Sequence, residues 1–376
     1  MQHLKSLDGI RGIAVLLVMS FHGHYFHAGW IGVQIFFTLS GYLITGILIK
    51  DRGASFRDFA GRFYWRRTLR IFPLLYVFLL FVAAVHALCG VPAAFASDWP
   101  WLVTFTANFG RMRDQDLGLF FVHLWSLAVE EQFYLIWPLL VYFLPPRAFR
   151  WTVVGVLLFA PVVRLALFQG LLGLGYDAQY AGKGAYVLPF TQFDAFAAGA
   201  AIPLWGLDRL RHAGRWFLIG VGVAAVAGLY VLIEGYFWGG GAFVGSLGYA
   251  MFLIDSYEYV WGYSLINTLS MLGIICALQR VGPARLLENG PLVWAGKVSY
   301  GIYVYHLPLL LAGEFLMEWL GIGLRGAVRP AFFAVWVVIV MLVSGASFRW
   351  LERPFLKLKD NWFKRDAAQA QRQALI

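Results

Sequence analysis

Ten runs of about twenty mostly apolar residues leave this chain few ways to fold. They fall at 9–28, 30–49, 71–90, 120–143, 151–170, 188–206, 216–234, 261–278, 292–313 and 330–350, and a further stretch, 241–254, could form a short extra helix. A run of that length crosses the hydrocarbon core of a bilayer as a helix, because lipid offers backbone N–H and C=O groups no outside partner. Only 13% of the residues are charged, about half of what a water-soluble domain needs for its surface. The expectation is an all-α, polytopic transmembrane helix bundle of about ten helices. No linker, repeat or low-complexity stretch divides the chain, so a single membrane domain over 1–356 and a short polar tail over 357–376 are expected. The first run lacks a small-residue cleavage site and is interrupted by His22, His24 and His27. It therefore reads as a retained helix and not as a cleaved signal.

The basic residues orient the array. Alternate connections hold Lys50, Arg52, Arg57, Arg62, Arg66, Arg67 and Arg70, then Arg147 and Arg150, then Arg209, Arg211 and Arg215, then Arg280 and Arg285. The opposite connections carry only Arg111, Arg113, Lys183, Arg325 and Arg329. The positive-inside rule places the rich side, and with it both termini, in the cytoplasm. This sidedness accounts for the net charge of +10, so nucleic acid is not an expected partner and the lipid bilayer is.

Titratable groups inside a bilayer cost about 2.5–3.5 kcal/mol each on insertion scales and usually mark a pathway or a site. In the first run, eleven residues of helix turn through about 1100°, so Arg11 and His22 share a face at a separation of about 16 Å. Asp8 lies three residues before Arg11, within pairing distance on that face. Taken alone, His22 is an even choice between a site residue and a satisfied interior histidine. His22, His24 and His27 point in different directions on a helix, which disfavours a metal site. In the connection RFYWRRTLRIFP, Arg67 and Arg70 would face one way if helical, a geometry suited to a phosphate cluster or to ordinary positive-inside charge. In HLWSLAVEEQFYLIWP, adjacent Glu130 and Glu131 lie about 100° apart around the helix, so one of them can face a polar cavity. Asp194 sits early in the sixth run, with structural hydrogen bonding as an equal alternative. Ser40–Gly41 suits close helix packing, His306 an interfacial position, and Glu352–Arg353–Pro354 a local ion pair at a helix stop. Cys89 and Cys276 fall near opposite membrane faces, too far apart for a disulfide, and read as packing thiols.

Six segments in order, LKSLDGIRGIAVLLVMSFH, FFTLSGYLITGIL, RRTLRIFPLLY, HLWSLAVEEQFYLIWPLL, VSYGIYVYHLPLL and SFRWLERPF, resemble the acyltransferase-three family of membrane-bound O-acyltransferases. This family includes bacterial enzymes that acylate polysaccharide, O-antigen and macrolide acceptors. The resemblance implies ten membrane helices in a bacterial cytoplasmic (inner) membrane and a cytoplasmic acyl-CoA donor; from the histidine spacing, no metal is expected. It places the catalytic histidine on His22, with Arg11 as its basic partner. The paired-arginine motif falls on Arg67 and Arg70, and the serine–glutamate–aromatic motif on Ser126, Glu130 and Phe133–Tyr134. Many relatives carry an arginine two residues before the aspartate of the sixth helix, where this chain has Gln192, which puts a charged role there in doubt. An appended esterase-like soluble domain is not expected, so a second acyl-transfer step is expected to need another protein.

The expected reaction moves an acyl group, acetyl being commonest among relatives, from acyl-CoA to a saccharide hydroxyl, on a lipid-linked or exported polysaccharide unit. In it, Arg67 and Arg70, with Arg11, hold the CoA phosphates, and His22 is the general base, with an acyl-histidine intermediate as the second choice. Glu130 or Asp194 would orient His22 or hold the acceptor, and Ser40 and His306 are candidate substrate contacts. The rival readings are O-acylation of a small metabolite such as a macrolide sugar, and a transporter or flippase. Against the latter, no convincing internal repeat or pair of broken helices was found in the sequence.

Overall fold

The computed structural model describes residues 4–113, 117–238 and 244–358. Its helices, in chain order, are α1 (Lys5–His22), α2 (Ile31–Asp51), α3 (Phe56–Cys89), α4 (Phe95–Val103), α5 (Ala107–Gly110), α6 (Trp125–Phe143) and α7 (Pro146–Gly173). They continue with α8 (Ala178–Val187), α9 (Pro189–Trp205), α10 (Ala213–Trp238), α11 (Glu258–Gln279), α12 (Gly290–Lys297), α13 (Ser299–Trp319) and α14 (Val328–Ser347). No strand occurs among the described residues. The chain is all-α, as the runs of apolar residues require.

Six helices (α2, α3, α7, α10, α11, and α14 with its continuation) are long and apolar enough to cross a membrane, and the pair α8–α9, bent by 43°, makes a seventh. The expected ten are not all distinguished on length and composition. Helix α1 carries Lys5, Asp8 and Arg11, and α9 has 17 residues. The bend between α8 and α9 follows from Pro189, which holds the preceding Leu188 in extended backbone. The segment expected at 292–313 is likewise divided at Val298, between α12 and α13. The extra helix considered at 241–254 does not form over its described part. Residues 244–246 make one 3-10 turn, and Leu247, Phe252 and Leu253 have left-handed backbone. Of the polar tail, 359–376 lies outside the described residues.

The stretch holding Arg62 to Arg70 is not a connection but the first half of α3. That helix begins at a Ser55 cap that accepts from the Asp58 amide (3.2 Å) and ends at left-handed Gly90. At 34 residues it is about 51 Å long, well beyond the hydrocarbon thickness of about 30 Å. Its basic half can therefore remain helical outside the lipid.

Two compact units form. The first takes the described residues of 4–50 and 100–299, and the second those of 51–99 and 300–358. In the first, α2 and α9 approach until their backbones touch. A Cβ on Gly199 would collide with the Thr38 carbonyl, and one on Gly41 with the Phe196 carbonyl. Around this contact Phe196 stacks on Phe37 (4.7 Å) and Phe133 (4.1 Å). Gly199→Val should cost about 1–3 kcal/mol or more, because the colliding atom is backbone and cannot rotate away. Thermal unfolding of the purified protein reads this out, and an unchanged midpoint would contradict the close contact.

In the second unit, Tyr300 of α13 donates to the Ile71 carbonyl of α3 (2.7 Å), and Phe78 packs edge-on to Tyr305 (6.0 Å). Trp336 of α14 donates to the His306 carbonyl (3.0 Å). Helix α14 runs into a π-helical turn, Phe348–Glu352. A single π turn rotates the residues after it relative to a regular helix.

Candidate functional site

Arg11 and His22 lie on one uninterrupted helix, and Arg11 Nη1 donates to Asp8 Oδ1 at 3.3 Å. The pairing expected from their spacing is present. His22 is the last residue of α1 rather than a mid-helix residue, because the chain turns at Gly23 and His24 takes left-handed backbone. The half-buried ring places Nδ1 3.1 Å from the Val18 carbonyl. A carbonyl only accepts, so Nδ1 is the donor of this contact, and a neutral ring in that tautomer has its lone pair at Nε2.

Two of the sequence candidates meet in the first unit. Glu130 of α6 accepts hydrogen bonds from Ser40 of α2 and from Tyr134 one turn further along α6. Ser126, Glu130 and Tyr134 recur every four residues and so share one face of the helix. Gly41 beside Ser40 makes the helix contact, which leaves Ser40 to the carboxylate. The small pair thus divides its roles between packing and polar contact.

Asp194 is held elsewhere. Its Oδ2 accepts from Arg164 Nη1 of α7 (3.0 Å) and from Ser264 of α11 (3.1 Å). Arg164 is wholly buried and also donates to the Thr191 and Val260 carbonyls (2.8 and 3.2 Å) and to Ser264 (2.7 Å), with its guanidinium 5.4 Å from the Tyr263 ring centre. Gln192, the departure noted above, accepts from Gln34 (2.7 Å) and donates to the Ala185 carbonyl (3.0 Å). The positive charge facing Asp194 comes from α7 instead. Sequence reading passed over Arg164, although one arginine in an otherwise uncharged apolar run was a visible signal.

Glu258 was also missed, because it precedes the apolar run that became α11. It is fully buried, and among the described residues neither of its carboxylate oxygens has a hydrogen-bond partner. Burial, reinforced by Glu258, pushes the nearby Tyr249 phenol up to about 12, so that group remains a donor, here to the Ala224 carbonyl (2.8 Å).

In the second unit Arg67 and Arg70 are half-buried, three residues apart on α3, and Arg67 lies 5.8 Å over the Phe63 ring. Glu352, on the π turn, lies within electrostatic reach of Arg70 and accepts a hydrogen bond from Ser347. Glu352 is therefore buried against α3 instead of serving a local ion pair at a helix end. His306, expected at an interface, is wholly buried, with Nδ1 at 2.7 Å from the Tyr303 carbonyl and 3.1 Å from that of Ile302. Both cysteines are free. Cys276 is buried, as a packing thiol should be, whereas Cys89 is exposed at the end of α3.

The acyltransferase domain of the acyltransferase-three family matches residues 4–350. The chain belongs to this family. It is 25% identical over 374 residues to the O-acetyltransferase OatA of Staphylococcus aureus, a match covering 95% of this chain and 58% of the relative. It is 27% identical over 384 residues to the peptidoglycan O-acetyltransferase OatA of Listeria monocytogenes, covering 95% and 56%. The chain thus spans little more than half the length of these relatives. No solved structure matches it. With six or seven spanning helices and this family membership, it is a multi-pass integral membrane protein.

Proposed function

We propose that the chain is a membrane O-acetyltransferase that moves an acetyl group from cytoplasmic acetyl-CoA to a hydroxyl of a peptidoglycan-type saccharide. The observation that carries the reading is the family match over residues 4–350, joined to a histidine on the same helix face as an ion-paired arginine. The named activities of the relatives supply the acetyl group and the acceptor class. The membrane is the bacterial cytoplasmic membrane, crossed ten times when α1, α6, α9 and α13 are counted with the six most apolar helices, and both termini are cytoplasmic.

In this mechanism Nε2 of His22 takes the proton of the acceptor hydroxyl as its oxygen attacks the thioester carbonyl carbon. The C–S bond then breaks, and the departing CoA thiolate receives the proton from the imidazolium. The Val18 carbonyl fixes the tautomer that this role requires. Arg67 and Arg70 are the phosphate ligands for CoA, since two guanidinium groups on one helix face suit phosphate oxygens. Glu130, set by Ser40 and Tyr134, is a contact for acceptor hydroxyls. Asp194 is given a positioning role, because Arg164 already engages it.

The test is transfer of labelled acetyl from acetyl-CoA to peptidoglycan fragments by the purified full chain in liposomes. Arg67→Ala and Arg70→Ala should each raise the KM for acetyl-CoA about ten- to a hundredfold, the loss of a charge-assisted contact worth about 1.5–3 kcal/mol. An unchanged KM in both variants would remove the arginines from the donor site. Absence of any acetyl transfer or acetyl-CoA hydrolysis would count against the function itself.

A further inference from the structure

Within the first unit an apolar cleft of about 870 Å³ lies between α1–α2 and α10–α11. It is several times the roughly 150 Å³ at which an apolar cavity stays dry and takes small hydrophobic guests. Its lining on α10 runs from Gly214 to Leu232, which at 1.5 Å per residue is about 27 Å, nearly the full hydrocarbon depth of about 30 Å. A cleft this long suits an extended hydrocarbon chain better than a compact molecule. Helix α10 is largely exposed, with only 11% of its spanning window buried, so the cleft sits at the margin of the unit.

The cleft is separate from the proposed reaction path. Ile10 and Ile13 are its lining residues on α1, and their mean direction is roughly 140° around the helix from the face of Arg11 and His22. At its Gly214 end the chain forms a shallow recess lined by Arg209, Arg211, His212 and Trp216, all exposed. Leu7 and Ile10 pack in the same apolar cluster as Ala213, Leu207 and Leu210, which places this recess at the Lys5 end of α1. Exposed Trp216 marks the level where aromatic side chains sit in a membrane–water interface. Asp208 is the one acidic neighbour in the turn, against Arg209, Arg211 and Arg215.

We propose that cleft and recess form one site for an anionic phospholipid of the surrounding bilayer, with acyl chains in the cleft and phosphate on Arg209 and Arg211. The adjoining charge and interfacial tryptophan select an anionic headgroup over a zwitterionic one. The head end also argues against the saccharide acceptor as occupant. His22 lies about 18 Å along α1 from Ile10, so a headgroup held at the recess is remote from the proposed base.

The experiment is native mass spectrometry of the purified full chain titrated with dioleoylphosphatidylglycerol, dioleoylphosphatidylcholine or a polyprenyl phosphate. Phosphatidylglycerol should be retained at least about tenfold better than phosphatidylcholine, a difference of about 1.4 kcal/mol. Arg209→Gln with Arg211→Gln should abolish that preference. Gly273→Leu, which extends a side chain into the cleft from a position with ordinary clearance to Phe217, should weaken retention with the arginines intact. Equal retention of the two phospholipids, wild-type retention by either variant, or displacement by the polyprenyl phosphate at lower concentration would overturn the proposal. His22→Ala should bind the lipid normally, so this result is independent of the acetyltransferase reading.

Discussion

Alanine in place of His22 is expected to lower acetyl transfer from acetyl-CoA by about 10²–10⁴-fold, the usual contribution of a positioned general base. The KM for acetyl-CoA should change little, because the phosphate contacts are assigned to other residues. A second variant separates the base from the hydrogen bond. His22→Asn retains a side-chain N–H able to reach the Val18 carbonyl, now met by Nδ1 at 3.1 Å, but has no basic nitrogen. It should be as inactive as His22→Ala while unfolding at the wild-type temperature. His22 is half-buried at a helix end, so neither change opens a large cavity, and loss of activity cannot be assigned to collapse of the fold. Full transfer by either variant would require another base. Arg11→Ala provides the contrast. It frees Asp8 from its 3.3 Å partner and removes a charge at the far end of the same face, so its main effect should be on apparent donor affinity.

Helix class was legible because hydrocarbon permits little else, and the i, i+3 relation of Asp8 to Arg11 follows from helical geometry alone. The Ser40–Glu130 contact was not legible. It joins α2 to α6 across 90 residues of sequence, a long-range pairing with no periodicity to reveal it. The basic half of α3 was not legible as helix because hydropathy marks only the lipid-depth half, whereas the helix starts at the Ser55 cap. Glu352 read as a helix stop because sequence cannot announce a π turn, through which the helix continues to Leu358. Arg164 is a different kind of miss. The reasoning that singled out Asp194 applied equally to an arginine in a neighbouring apolar run, and a charged pair is the cheapest way to keep both in lipid.

That pair sets the largest expected effect on stability. Arg164→Met should destabilise the protein by about 3–5 kcal/mol, because it leaves the Asp194 carboxylate buried opposite no charge. It would also remove the guanidinium's hydrogen bonds to the carbonyls of Thr191 and Val260 and to the Ser264 hydroxyl. Asp194→Leu should cost a similar amount by leaving Arg164 alone in a fully buried position. The double variant should be more stable than either single one, since the charge left unpaired is absent from both sides. Its coupling energy, read from thermal or denaturant unfolding of all four proteins in one detergent, should be at least about 2 kcal/mol, near the top of the range for contacting residues. Additive losses would mean that Arg164 and Asp194 do not depend on each other, and Asp194 would return as a group available to the reaction. With strong coupling, acetyl transfer by the double variant decides the remaining role. Activity near wild type would make the pair a clasp joining α7, α9 and α11. A stable protein with low kcat and unaltered KM would make it the support that positions the reacting groups.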